Sequence, residues 1–252
     1  MGYTVEAFLK LLLFRFEGPI HPRSESLLRN VLVAELAEKH SAEAQSETPN
    51  AATAEACLAA LEASATAEAS QTNQFAASIL LEGMSRPVWS SVWRDADRAV
   101  GRAQAKATHL QRVFATWARL QLVGGITVDT RCYNALLHAC VSCGDAFKGK
   151  RVLRHMEAHA IPYDEQTYEE QCALHLVSRP RETESAELAM AQCKAAGLVP
   201  SGSFYVHLVN SRLRLKEFSQ ARELFDEMQA AGHPARGSFR QRVFKLTSAD
   251  ES

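Results

Sequence analysis

The sequence predicts an all-α fold, a right-handed α-solenoid of stacked helix-turn-helix units, and three observations carry that prediction. Asp129 and Tyr133 stand a short step apart, and the same arrangement returns 35 residues later as Asp164 and Tyr168, which is the length of one helical hairpin. Between these landmarks apolar residues recur at steps of three and four, the period of a helix face. Short β-branched runs such as "GGITVD" fall only where a hairpin connection is already required, so no strand signal survives.

Taken in order, residues 1–40 read as helix, Gly-Pro turn and helix, with Leu28, Val31, Leu32 and Leu36 on the second helical face. Residues 41–74 are rich in Ala, Glu, Ser and Thr and nearly lack large side chains. A solvated helix or a disordered linker is expected there, because so little apolar surface cannot offset the entropy of ordering. Residues 75–129 form a helical region with a degenerate hairpin, whose second helix carries Val113, Trp117 and Leu120 and ends at Gly125-Ile126.

Three hairpins fill 130–236. In 130–164, Tyr133, Leu137 and Cys140 mark the first helix, Gly144-Asp145 the turn, and Val152, Leu153 and Met156 the second helix. The copy at 165–201 is degenerate, with Tyr168 and Cys172 followed by Ala186, Ala189, Met190 and Cys193. The unit at 202–236 is the cleanest: Tyr205, Leu208, Val209 and Leu213 precede Ala221, Leu224, Phe225 and Met228, and Gly232 with Pro234 supplies the stop. Residues 237–252 begin another hairpin without completing it, so Phe239, Val243 and Phe244 are expected to cap the last interface.

Composition narrows the function. The chain has 252 residues, 46% of them hydrophobic, enough for a sizeable core. The longest apolar run, "AFLKLLLFRF", is interrupted by Lys10 and Arg15, so no membrane span and no membrane partner is expected. The net charge of −1 conceals an asymmetry: residues 1–93 hold 6 basic and 11 acidic side chains, residues 94–252 hold 22 and 18. A mildly basic C-terminal part can favour a polyanion, though it does not identify one. Six scattered Cys fit a reducing compartment. Glu6 and Glu17 make the N-terminus unlike an organellar transit peptide.

The Tyr-Asn-x-Leu at Tyr133, Asn134 and Leu136, the turn Gly144, and the closing segments "GGITVD" and "AIPYD" resemble the pentatricopeptide repeat (PPR) family, whose hairpins are about 35 residues long. The resemblance covers roughly half of the chain. It implies binding of single-stranded RNA without catalysis, in RNA processing or translation in a mitochondrion or plastid, with no cofactor. It also implies that each hairpin addresses one base through the residue after the Tyr and the last residue of the hairpin. Those positions are Asn134 and Asp164 in the first hairpin, a pair the family associates with uridine. The second hairpin offers Glu169 with Ser201, and the third Val206 with Arg236. Arg131 stands where the family places a small aliphatic wedge.

Further candidates come from charge. Lys148, Lys150, Arg151 and Arg154 share one second helix, and Arg212, Arg214 and Lys216 close the first helix of the third hairpin. They read as phosphate contacts, Lys150 and Arg212 foremost, or as a solvated outer face. The RNA-binding set is therefore Asn134, Asp164, Arg131, Lys150, Arg212 and Arg236. The alternative function is a structural subunit that binds protein in a ribonucleoprotein or other complex. Cys140-x-x-Cys143 lacks the second ligand pair that zinc needs, so both are expected to pack between helices. No P-loop, dinucleotide turn, nucleophile elbow or metalloprotease motif is present, and neither a metal nor a catalytic residue is expected.

Overall fold

Asp129, Asp164 and Ser201 do the same local work: each ends a connection and caps the helix that follows. Asp129 accepts the Cys132 amide at 3.1 Å, Asp164 the Thr167 amide at 2.8 Å, and Ser201 the Phe204 amide at 3.2 Å. Four residues after each cap stands a Tyr whose amide makes the first helical bond back to the cap carbonyl. The recurrence in the sequence is thus a cap plus a core aromatic.

The computed structural model describes residues 70–86, 98–122 and 128–248, and the chain divides into two units, 1–143 and 144–252. Among the described residues of the first unit are α1 (Ser70–Ser85), α2 (Arg98–Leu120) and α3 (Thr130–Cys143). The second holds α4 (Ala146–Ala158), α5 (Glu165–Val177), α6 (Thr183–Ala195), α7 (Gly202–Leu215), α8 (Phe218–Ala230) and α9 (Gly237–Ser248). No strand occurs among the described residues, and no helix there is long and apolar enough to cross a membrane. The fold is all-α and built of helical repeats.

In the first unit α3 packs on both α1 and α2. Ile79, Leu80 and Leu81 of α1 are fully buried, as are Leu136, Leu137 and Cys140 of α3, and Trp117 meets Tyr133 edge to face at 6.1 Å. The expected hairpin at 1–40 and most of the expected linker lie outside the described residues. The last residues of that linker, Ser70–Gln74, open α1, whose apolar run from Phe75 to Met84 lets the helix bury a face.

In the second unit the antiparallel pairs α5/α6 and α7/α8 stack, with α4 against α5 and α9 against α8. One core runs from Cys172 through Ala189, Met190, Phe204, Leu208, Ala221 and Phe225 to Val243. The second helices end alike: Ile161, Leu198 and His233 donate to the carbonyls of Met156, Cys193 and Met228, five residues back, at 2.9, 3.1 and 3.1 Å. That closure needs a left-handed residue, supplied by Gly197 (φ +77°) and Gly232 (φ +82°), whereas Ala160 adopts it (φ +51°) after α4.

Gly149 on α4 has a different reason to be Gly. A Cβ there would lie 2.3 Å from Leu174 Cδ2 and 2.7 Å from Cδ1, and Leu174 is itself fully buried. Gly149→Ala is therefore expected to destabilise by about 1 to 3 kcal/mol through overpacking. Helix propensity alone favours Ala by about 1 kcal/mol. A urea unfolding midpoint that rises in the variant would contradict this packing.

Candidate nucleic-acid interface

The first helices of the second unit, α5, α7 and α9, make side-chain contacts with one another along one face. On α5 the Glu169 carboxylate accepts from the Ser201 hydroxyl at 2.7 Å and from the Ser203 hydroxyl at 2.6 Å, with His207 Nε2 at 3.8 Å. On α7, Asn210 Oδ1 accepts from the Arg242 guanidinium of α9. His233 sits below, its Nε2 at 2.9 Å from the Pro200 carbonyl. Burial, aided by the neighbouring Glu169 and Asp164 charges, raises the Glu165 carboxyl above the usual range. The α5 end of the face is thus acidic and closed on itself.

The α9 end is the opposite. Residues 235–248 contain Arg236, Arg240, Arg242 and Lys245 and no Asp or Glu, and all four cations are exposed. No carboxylate among the described residues pairs with any of them. Aromatic rings hold the guanidinium groups: Arg242 lies 5.4 Å from the Phe239 centroid, and Arg240 5.6 Å from the Phe244 centroid. Arg222 of α8 covers the same Phe244 ring at 4.1 Å, but its charge is matched by Asp226 at 3.0 Å.

The structure distributes the sequence-predicted residues unevenly. Arg131 and Arg236 are exposed. Asn134 is buried, with 1% of its surface accessible, where a reader of bases needs an open edge. Asp164 spends one carboxylate oxygen, Oδ1, on the Thr167 amide and hydroxyl, both at 2.8 Å, so capping α5 is a duty the sequence reading did not assign it. Glu169 and Ser201, the paired positions of the second hairpin, do meet, but the hydrogen bond between them is internal. Val206 is half-buried.

Two of the expected phosphate contacts are committed elsewhere. Lys150 donates to both oxygens of Glu182, at 2.6 and 2.8 Å, and His175 Nδ1 stands 2.6 Å from the same carboxylate. Hydrogen bonds from Lys150 and His175 hold the Glu182 carboxyl below its ordinary value. Arg212, with 13% of its side chain accessible, pairs with Glu187 of α6 and with Glu217 at the turn into α8, each at 2.5 Å. Burial alone would lower the Arg212 pKa, but the two carboxylates more than reverse this. Both cations are tied to carboxylates of neighbouring elements, Arg212 largely buried and Lys150 still partly exposed. Lys194 does the same with Glu227, which also accepts from the Tyr205 hydroxyl at 2.8 Å.

Sequence reasoning passed over Arg240, Arg242 and Lys245. The signal was present in "RGSFRQRVFK", a run of cations and aromatics with no acid, but the segment read only as a cap. Cys140 and Cys143 are buried on α3, where Cys143 Sγ lies 3.7 Å from the Lys106 carbonyl. No group of three metal-ligating side chains occurs among the described residues.

A stack of capped helical hairpins with a cationic terminal helix defines a helical-repeat class of protein. The PPR repeat model matches residues 131–161, about one hairpin of this chain. Among solved structures, the PPR domain of protein-only RNase P 1 from Arabidopsis thaliana, crystallised in complex with tRNA, is similar at 12% identity. That match has a TM-score of 0.51 and covers 89% of this chain and 98% of the other. The pentatricopeptide repeat protein PPR10 from maize is similar at 16% identity with a TM-score of 0.41, and the match covers 98% of this chain and 42% of that one. No curated protein matches the sequence.

Proposed function

We propose that the chain binds single-stranded RNA along the face of α5, α7 and α9, without catalysis, and that phosphate contacts from α9 dominate the affinity. The observation that carries this reading is the surface of α9 and the two residues before it, four exposed cations with no acidic residue in fourteen positions. Aromatic rings orient its guanidinium groups, as in sites that bind single strands with little sequence preference. The PPR resemblance supports RNA as the polyanion. It also supplies the setting, RNA processing or translation in a mitochondrion or plastid.

Base reading is expected to be weak. Glu169 is held by two serines, Asn134 is buried, and a Val offers no hydrogen bond. Arg131 and Arg236 remain as exposed contacts. The same closed positions favour a second reading, a protein-binding subunit of a ribonucleoprotein that touches RNA little by itself.

Charge reversal separates the two. Arg240→Glu with Arg242→Glu is expected to weaken binding of all RNA sequences alike, and to reduce the slope of log affinity against log salt by about 1.4, at about 0.7 per lost phosphate contact. Lys150→Ala should change stability rather than RNA affinity. Unaltered RNA binding by the α9 variant would remove this proposal and leave the protein-binding reading.

A further inference from the structure

The second unit carries another exposed cationic surface, on a helix outside the α5/α7/α9 face. Helix α4 buries Gly149, Val152, Leu153 and Met156, which leaves a stripe of Phe147, Arg151, Arg154, His155 and His159 outward at helical spacing. Phe147 is 71% exposed, an unusual place for a Phe in the first turn of a helix with a well-formed cap at Asp145. The imidazoles of His155 and His159 stack one turn apart, with centroids 4.0 Å apart and planes 17° from parallel. His159 Nδ1 lies 2.9 Å from the His155 carbonyl, which fixes the outer ring.

The charges on this stripe are unequal in status. Lys148 is answered by Asp145 at 3.3 Å, and Glu157 on the flank accepts from the Tyr163 hydroxyl at 3.3 Å. Arg151 has no carboxylate partner among the described residues, and Arg154 donates only to the Lys150 carbonyl, at 3.4 Å. Two guanidinium groups therefore stand between an exposed phenyl ring and a pair of stacked imidazoles.

We infer that the outer stripe of α4 is a second docking surface for single-stranded nucleic acid, with Arg151 and Arg154 on phosphates and Phe147 and the outer face of His159 as stacking platforms for bases. Two considerations favour a strand over a protein partner. The stripe is roughly 18 Å long at 1.5 Å per residue and one helix wide, roughly 200 Å², well below the roughly 800 Å² per partner of a stable protein interface. Its only large apolar group is Phe147, whereas alternating cations and planar rings are what a single strand uses. The inference rests on the RNA-binding reading for the identity of the polyanion, not for the location of the site.

The test is a fluorescence titration of the full chain against a labelled single-stranded RNA of about 30 nucleotides and mixed sequence, at two salt concentrations. Arg151→Glu with Arg154→Glu is expected to lower affinity at least tenfold and to flatten the salt slope by about 1.4. Phe147→Ala with His159→Ala is expected to lower affinity at least fivefold and leave the slope unchanged, because stacking releases no counterions. All four side chains are exposed, and coincident thermal melts would show that the variants fold. If both α4 variants bind as the wild type does while Arg240→Glu with Arg242→Glu is weakened, this inference is overturned and the α9 reading stands. A wild-type chain that binds no RNA overturns both. Loss of binding to phosphatidylserine vesicles with RNA affinity intact would assign the stripe to a membrane surface and also overturn the inference.

Discussion

Replacing Phe225 with Ala is expected to lower the unfolding free energy of the second unit by about 3 to 5 kcal/mol. The ring is fully buried, 5.9 Å from the Phe239 ring and 5.8 Å from the Phe244 ring, so it joins α8 to the two aromatics of α9. Truncation leaves a cavity at that joint, and the rings that orient Arg240 and Arg242 lose their support. Urea denaturation followed by circular dichroism measures the loss. A change below half a kcal/mol would mean that α9 does not pack there, and would remove the platform for the cationic surface.

Acid is expected to weaken the first unit through His109. Its imidazole is buried on α2 and its pKa falls to about 4, mainly from burial. Its hydrogen bond to the Ser85 backbone opposes that effect, and the charges of Arg112 and His138 add to it. Because the folded value lies below the unfolded value of about 6.5, the unfolded chain takes up the proton first as pH falls. Stability is complete above pH 6.5, declines from there toward pH 4, and has lost about 3 kcal/mol by the end of that window. His109→Gln should flatten the decline in unfolding free energy across this range. Parallel wild-type and variant profiles would show that another group is responsible.

Much of the repeat was legible because it rests on local rules. Gly232 marks a helix stop, Asp129 and Asp164 mark the repeat length, and Phe225 and Met228 mark a helix face, all of which one or two hairpins' worth of sequence discloses. What escaped reading depends on distant partners. Nothing near Lys150 in sequence announces Glu182, and nothing near Arg212 announces Glu187, so cations that look available are tied between helices. Glu169 reads as a base-facing residue until Ser201, at the end of its own hairpin, and Ser203, at the start of the next, appear beside it. On α9 the opposite occurred: a segment read as a cap retains its charges, because Asp226 and Glu227 of the neighbouring α8 are paired with Arg222 and Lys194 instead.

The most direct measurement is a titration of the purified chain against uridine-rich and adenine-rich single-stranded RNA at 50 and 200 mM salt. With three to four phosphate contacts, affinity for both RNAs is predicted to fall about twenty- to fiftyfold between the two conditions, with little difference between the sequences. No binding at the lower salt would contradict the account. So would a strong uridine preference with a shallow salt dependence, because that result would put the binding energy in base contacts that the buried Asn134 and the occupied Glu169 do not offer.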